Sequence, residues 1–311
     1  MDPETVRAEG ARTRWRLIEA IIYWRRCLRK KPEEVKRRIR HGLPDRFRAL
    51  VWQLISGGRE ILLENPSVDY PQLVSHEMSE FEKLRIVKDI PRTLKCLGLS
   101  QTYSGSLYNV LKAYDVYDKA GAGYMEGMSY IAGLLLHYLN NEESAFWTMV
   151  AVLNKPEMRG IYLERAPLLQ QYLFQFGMLV KKQLPRLGRH FEKQRIVPSM
   201  YARTWFLTIF SADLPIPLVA RIWDVFLYEG INIVFQVGLS LLKTSETVLL
   251  GLSKEWLIEF LVTMKGRRDF HPDILLSTAL SFDVQNQLPE LEIEYHQTSV
   301  TLQKFLNSEK E

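Results

Sequence analysis

The chain has 311 residues, of which 47% are hydrophobic and 25% charged. That length and balance can bury a substantial core in one or two domains and exclude a fibrous or wholly disordered chain. The net charge of +5 is uneven: residues 1–48 carry 15 Lys/Arg against 7 Asp/Glu, a net +8 that leaves −3 for the rest.

Residues 7–48 could meet anionic lipid or an acidic partner peripherally, but the same charge also suits a solvated helix face. Cys27 and Cys96 make no disulfide framework, which points to a reducing interior. The histidines lack ligand spacing, so no metal site is expected. The N-terminus lacks a signal-peptide core, and the longest apolar run, Tyr130 to Leu136, is far too short to cross a bilayer. A cytoplasmic protein, at most peripheral on endomembranes, is expected.

Helical periodicity dominates in chain order. Arg14 to Leu28 reads as a basic helix. Pro32-Glu33-Glu34 opens the next, and His41-Gly42-Leu43-Pro44 breaks the chain. Pro44 begins a third helix expected to turn Phe47, Leu50, Val51, Leu54 and Ile55 inward, with Ser56-Gly57-Gly58 as its stop. Residues 58–70 read as an irregular connection. A helix from the low 70s should end at Ile90, because Pro91 removes a backbone donor. Residues 94–105 read as a loop and Ser106 to Asp118 as a helix. After a glycine turn, Tyr124 to Leu139 is apolar nearly all round and should be central.

Asn141 opens a helix to about Asn154. Two long helices follow across 165–195, and Pro198 starts another. Asp213 to Pro217 enters the helix of Arg221, Trp223 and Phe226. Residues 231–250 and 254–264 read as two more, with Ser253 as a cap. One short helix and a frayed polar tail from about 288 complete the chain. No stretch alternates long enough for a sheet.

Three segments can carry chemistry. Ile86, Asp89 and Arg92 share one helix sector at i, i+3, i+6, with Arg92 at the rim where Asp89 can hold its guanidinium. Taken alone, they also read as a surface Asp–Arg pair. Gly121, Gly123 and Gly127 let the backbone approach another surface, and Tyr124 and Glu126 would leave the first turn of the central helix. Taken alone, that segment is also a loop that caps a core helix. In Arg221-Ile222-Trp223-Asp224, Asp224 reads as a structural hydrogen-bonding residue.

Their order resembles the TBC domain of Rab GTPase-activating proteins. The string runs Gly42-Leu43-Pro44, Arg48, Val51-Trp52, then Ile86-x-x-Asp89-x-x-Arg92-Thr93. Leu107 to Tyr114, Gly123-Tyr124-x-Glu126-Gly127-Met128 and Arg221 to Asp224 follow. The resemblance covers roughly residues 36–265. It implies an all-α, elongated, two-lobed helical fold without a sheet, with lobes near 36–155 and 156–265. Residues 1–35 would be a basic helical extension, and 266–311 a helix and polar tail.

It also implies a GTPase-activating protein for a Rab-family small GTPase. The catalytic arginine of that family falls on Arg92. Its catalytic glutamine falls on Glu126, a departure that implies weakened or substrate-restricted activity. Ile86, Asp89, Thr93, Gly123, Tyr124, Gly127 and Asp224 would support the site or touch the GTPase. GTP and Mg²⁺ would be carried by the partner, since the chain has no G-x-x-x-x-G-K-[ST] phosphate loop and needs no cofactor of its own. Nucleic acid is not expected. Two other readings stay open: a scaffold that binds a GTP-loaded Rab without turnover, and a lipid-surface adaptor.

Overall fold

The structure, a computed structural model, describes residues 26–264 and 270–308. Among these residues every regular element is helical and none is a strand. The expected helix over Arg14 to Leu28 lies outside the described residues except at its end, where 26–30 are helical.

Helix α1 (Pro32–His41) starts on a proline, with Glu33 and Glu34 in its first turn. Helix α2 (Asp45–Ser56) buries Arg48, Trp52 and Leu54, but leaves Phe47 and Leu50 exposed rather than inward. The reason is a polar anchor. Arg48 Nε and Nη2 donate to the Asp224 carboxylate at 2.9 Å each, and Trp52 Nε1 donates to it at 2.8 Å. This fixes which face of α2 turns inward.

The expected loop after Gly57 is instead helix α3 (Gly58–Glu64), followed by α4 (Tyr70–Ser75). Gly57 does end α2 in a left-handed turn, but the chain restarts at once and packs α3 against the helix Glu142–Leu153.

Helix α5 (Glu80–Leu97) differs most from expectation, because it runs straight through Pro91 and across the start of the expected 94–105 loop. An interior proline costs about 3 kcal/mol. Here Ile86, Ile90, Leu94 and Leu97 are buried on one face, each contributing about 1.5–3 kcal/mol. Pro91 lies on the exposed face, where water can satisfy the carbonyl that its missing N–H leaves unpaired. Burial therefore outweighs the breaker.

Helix α6 (Ser104–Tyr117) precedes α7 (Met128–Leu139), whose residues are buried apart from His137 and the half-buried Tyr138. As expected, α7 is central and touches α2, α5, α6 and α8 (Glu142–Leu153). It starts four residues later than the apolar run, because Gly127 sits left-handed at its N-cap.

The second half holds α9 (Pro156–Tyr162), α10 (Pro167–Gln183), α11 (Pro185–Gln194) and α12 (Arg203–Thr208). Then come α13 (Ile216–Glu229), α14 (Asn232–Thr244), α15 (Glu246–Leu249), α16 (Lys254–Val262) and α17 (Pro272–Leu280). Asp213, at the entry to α13, accepts from Thr204 Oγ1 at 2.7 Å, and Ser253 sits at the N-cap of α16 but turns its Oγ to the Glu255 carboxylate at 3.1 Å.

The tail is not frayed from 288. Helix α18 (Leu288–Ser308) lies on α10: Leu291 is buried, Gln175 Nε2 donates to the Leu288 carbonyl at 2.9 Å, and the Phe174 and Tyr295 rings are 5.5 Å apart.

The described part of the basic segment is partly neutralised by the fold. Arg40 forms a two-point pair with Glu229 at 2.6 and 2.7 Å, Arg38 pairs with Glu34, and Arg48 is buried. Arg48 is therefore no part of a lipid-facing surface. Among the described residues, no helix is long and apolar enough to cross a membrane.

Candidate functional site

The exposed face of α5 carries Arg92, and the turn before α7 carries Glu126, also exposed. Between them lies a partly buried cluster of polar contacts. The Tyr124 hydroxyl donates to Asp89 Oδ2 at 2.6 Å. Burial, reinforced by that carboxylate, pushes the Tyr124 phenol far above its ordinary range, so it stays a donor. Asp89 thus holds Tyr124. It forms no ion pair with Arg92 among the described residues, contrary to the role its spacing suggested.

Two residues that sequence reasoning missed complete the cluster. Arg85 Nη2 donates to the Tyr124 carbonyl and its guanidinium lies 5.9 Å from the Tyr124 ring centre. Asp115 Oδ1, from α6, accepts from the Tyr124 backbone N–H at 2.6 Å. Asp115 is buried among apolar neighbours on its helix, and a lone acid on an apolar face was the available signal. Arg85 lies two turns before Arg92 on the same helix, but nothing local marks its partner as a carbonyl 39 residues away.

The glycines of the turn have specific duties. Gly123 has φ +57°, and a Cβ there would stand 2.8 Å from Asp115 Oδ1. Gly127 has φ +95°, and a Cβ would stand 3.3 Å from Leu207 Cβ on α12. Beneath the turn, Ile86 is fully buried and Thr93 Oγ1 donates to Ser129 Oγ at 2.8 Å, tying α5 to α7. Ile86 and Thr93 therefore act from inside the core and do not reach a partner.

Arg92 itself has no hydrogen bond or ion pair to the rest of the described chain. It lines a groove of about 670 Å³ with Lys95, Tyr130, Arg203 and Asp213. Burial pushes the Tyr130 phenol up to about 12, while the Arg92 charge pulls the other way, so the two are neighbours. Glu126 is not among the residues of that groove. Asp224 shares no hydrogen bond with any of these residues. It is fully buried, accepting also from the Leu43 N–H at 3.1 Å, and joins α2 to α13. Among the described residues, no group of three or more His, Cys, Asp or Glu is placed to hold a metal ion.

Among the described residues the Arg92 guanidinium and the Glu126 carboxylate have no hydrogen-bond or ion-pair partner, and the elements that carry them are joined through Tyr124. The sequence family model described as the Rab-GTPase-TBC domain matches residues 45–250. The chain belongs to the Rab-GTPase-TBC domain family. The human (Homo sapiens) "Ecotropic viral integration site 5 protein homolog" is 34% identical over 278 residues, covering 88% of this chain and 34% of that protein. The Caenorhabditis elegans "Rab GTPase-activating protein eat-17" is 33% identical over 265 residues, covering 84% of this chain and 29% of that protein. The solved Chlamydomonas flagellar RabGAP TBC domain superposes with a TM-score of 0.67 at 30% identity, covering 85% of this chain and 91% of that one. This TBC chain spans about a third of the length of the curated relatives it matches. Its all-α architecture is that of the family.

Proposed function

We propose that this TBC domain stimulates GTP hydrolysis by a Rab-family small GTPase, with Arg92 as the inserted arginine. The observation that carries the reading is the state of Arg92: exposed, unpaired, and set on a helix fastened to the Glu126 turn through Asp89–Tyr124 and Arg85–Tyr124. Negative charge builds on the phosphoryl oxygens as GTP is hydrolysed. A guanidinium delivered there stabilises it, an effect worth roughly 10³–10⁵ in rate. The nucleotide and its Mg²⁺ belong to the partner as substrate, and the chain supplies no cofactor.

Glu126 stands where the family places a glutamine. A glutamine offers a donor and an acceptor, whereas an ionised carboxylate only accepts. It can accept a hydrogen bond from the attacking water, but it adds a like charge beside the γ-phosphate. Activity is therefore weak or restricted to particular GTPases, with Arg92 supplying most of it. The same carboxylate favours a second reading, a TBC scaffold that binds a GTP-loaded Rab without turnover.

Single-turnover GTP hydrolysis across a Rab panel, with the native chain and Arg92→Ala side by side, separates the two. Stimulation that disappears in the variant supports the activator. GTP-dependent binding with no stimulation on any Rab supports the scaffold.

A further inference from the structure

The same helix that presents Arg92 also presents three large apolar side chains to solvent. Phe81 is 72% exposed, Leu84 63% and Val87 44%. At 100° per residue, Phe81 lies about 20° from Arg92 around the helix, Leu84 about 80° and Val87 about 140°. The stripe starts about 16 Å below Arg92 along the axis, and Pro91 continues it upward.

These residues do nothing for the fold. The core face of α5, carried by Ile86, Ile90, Leu94 and Leu97, lies opposite Phe81, while Val87 stands at its edge, about 20° from Leu94 around the helix. Nor is the first turn frayed. Ser79 and Glu82 form a reciprocal cap, with Ser79 N–H donating to Glu82 Oε2 at 2.9 Å and Glu82 N–H donating to Ser79 Oγ at 3.3 Å. A rigid helix end that holds adjacent large apolar groups in water marks a partner surface.

Charge narrows the partner's chemistry. Lys88 and Lys95 flank the stripe on the same exposed face, and neither forms an ion pair within the described chain. Lys83 already pairs with Glu80 at 3.6 Å. The surface that fits is an apolar patch bordered by carboxylates. Its position follows from continuity, because whatever receives the Arg92 guanidinium must also lie over the side of α5 that carries Phe81 and Leu84.

We propose that Phe81 and Leu84, with Lys88 and Lys95 beside them, form the docking stripe on which the GTPase seats an apolar, acid-bordered patch beside its nucleotide site. This contact determines which GTPase is accepted. It rests on the functional reading above and adds a division of labour to it: the stripe provides affinity, Arg92 provides rate.

The test uses the full chain and a panel of Rabs loaded with a non-hydrolysable GTP analogue for binding, and with GTP for single turnover. Phe81→Asp and Leu84→Asp should weaken binding about tenfold or more while leaving the rate at saturation within about twofold. Leu84→Met should behave as the native chain. Arg92→Ala should do the reverse, losing saturated rate with binding largely kept. Circular dichroism and thermal midpoints close to native would exclude misfolding, as expected for exposed positions.

Native-like binding by both Asp variants overturns the stripe while leaving an Arg92-dependent activity intact. If Arg92→Ala changes nothing but the Asp variants lose binding, the stripe stands and the scaffold reading replaces the activator. Failure of every Rab to bind overturns both. A native dimer in sedimentation velocity that the Asp variants convert to monomer also overturns the stripe as a GTPase surface, since a second copy would cover it.

Discussion

A guanidinium can stabilise a partner's developing charge only if its own protein leaves it unpaired. Arg92 meets that condition because Asp89, its apparent mate by spacing, is committed to Tyr124. Arg92→Ala should therefore lower saturated stimulation by about 10³ without changing the unfolding midpoint. Glu126→Gln should raise stimulated hydrolysis by about tenfold, because it restores a donor and removes a like charge. A variant no faster than native, on a Rab it demonstrably binds, would rule that out. Tyr124→Phe removes a hydrogen bond to a carboxylate and should cost about 1.5–3 kcal/mol, read as a lower denaturant midpoint. Its effect on rate should exceed its effect on binding, since it loosens the Glu126 turn rather than the docking face.

At the scale of the element, α5 shows a local breaker overruled by packing. The bonds it forgoes at Pro91 fall on the solvent side, and four buried aliphatic side chains hold the other side. Pro91→Ala should restore one backbone hydrogen bond and raise stability by about 1–2 kcal/mol in chemical denaturation. An unchanged or lower midpoint would mean that the surrounding helices need the proline's geometry. Pro91 adjoins Arg92, so the same variant also reports whether the direction of the guanidinium depends on the ring.

At the scale of the molecule, Asp224 connects distant parts of the chain. It accepts from Arg48, Trp52 and the Leu43 backbone, 172–181 residues away, with no exposure to water. Asp224→Ala leaves the buried Arg48 with only the exposed Asp45 carboxylate and the Leu43 carbonyl, and should destabilise by about 3–5 kcal/mol. The double change Arg48→Met with Asp224→Leu should recover only part of that loss, because apolar residues can replace the ion pair but leave the Trp52 indole N–H and the Leu43 N–H without an acceptor. Buried phenols give the molecule an alkaline limit. Burial raises Tyr70, Tyr114, Tyr124, Tyr162 and Tyr201 above the ordinary phenol range. Their stabilising contribution is complete below about pH 10 and is lost as pH rises past it, since the unfolded chain releases those protons first. Denaturation midpoints from pH 8.5 upward should fall beyond about pH 10.

The sequence by itself determined the helical class, the central place of α7 and the family, because 3.6-residue periodicity and ordered short motifs are local properties that survive without contacts. It also placed Arg92 and Glu126 as candidates, since both are named by position within a motif. Only the tertiary structure decided the rest. Whether Pro91 ends a helix, whether residues 58–64 coil or wind, and whether Phe47 faces in or out each depend on what packs opposite, which no local pattern encodes. The pairing of Asp89 with Tyr124 rather than Arg92 is the clearest case. Spacing along one helix offers Arg92 to Asp89 and does not show Tyr124, and the phenol from another element, buried where its proton cannot leave, takes the carboxylate.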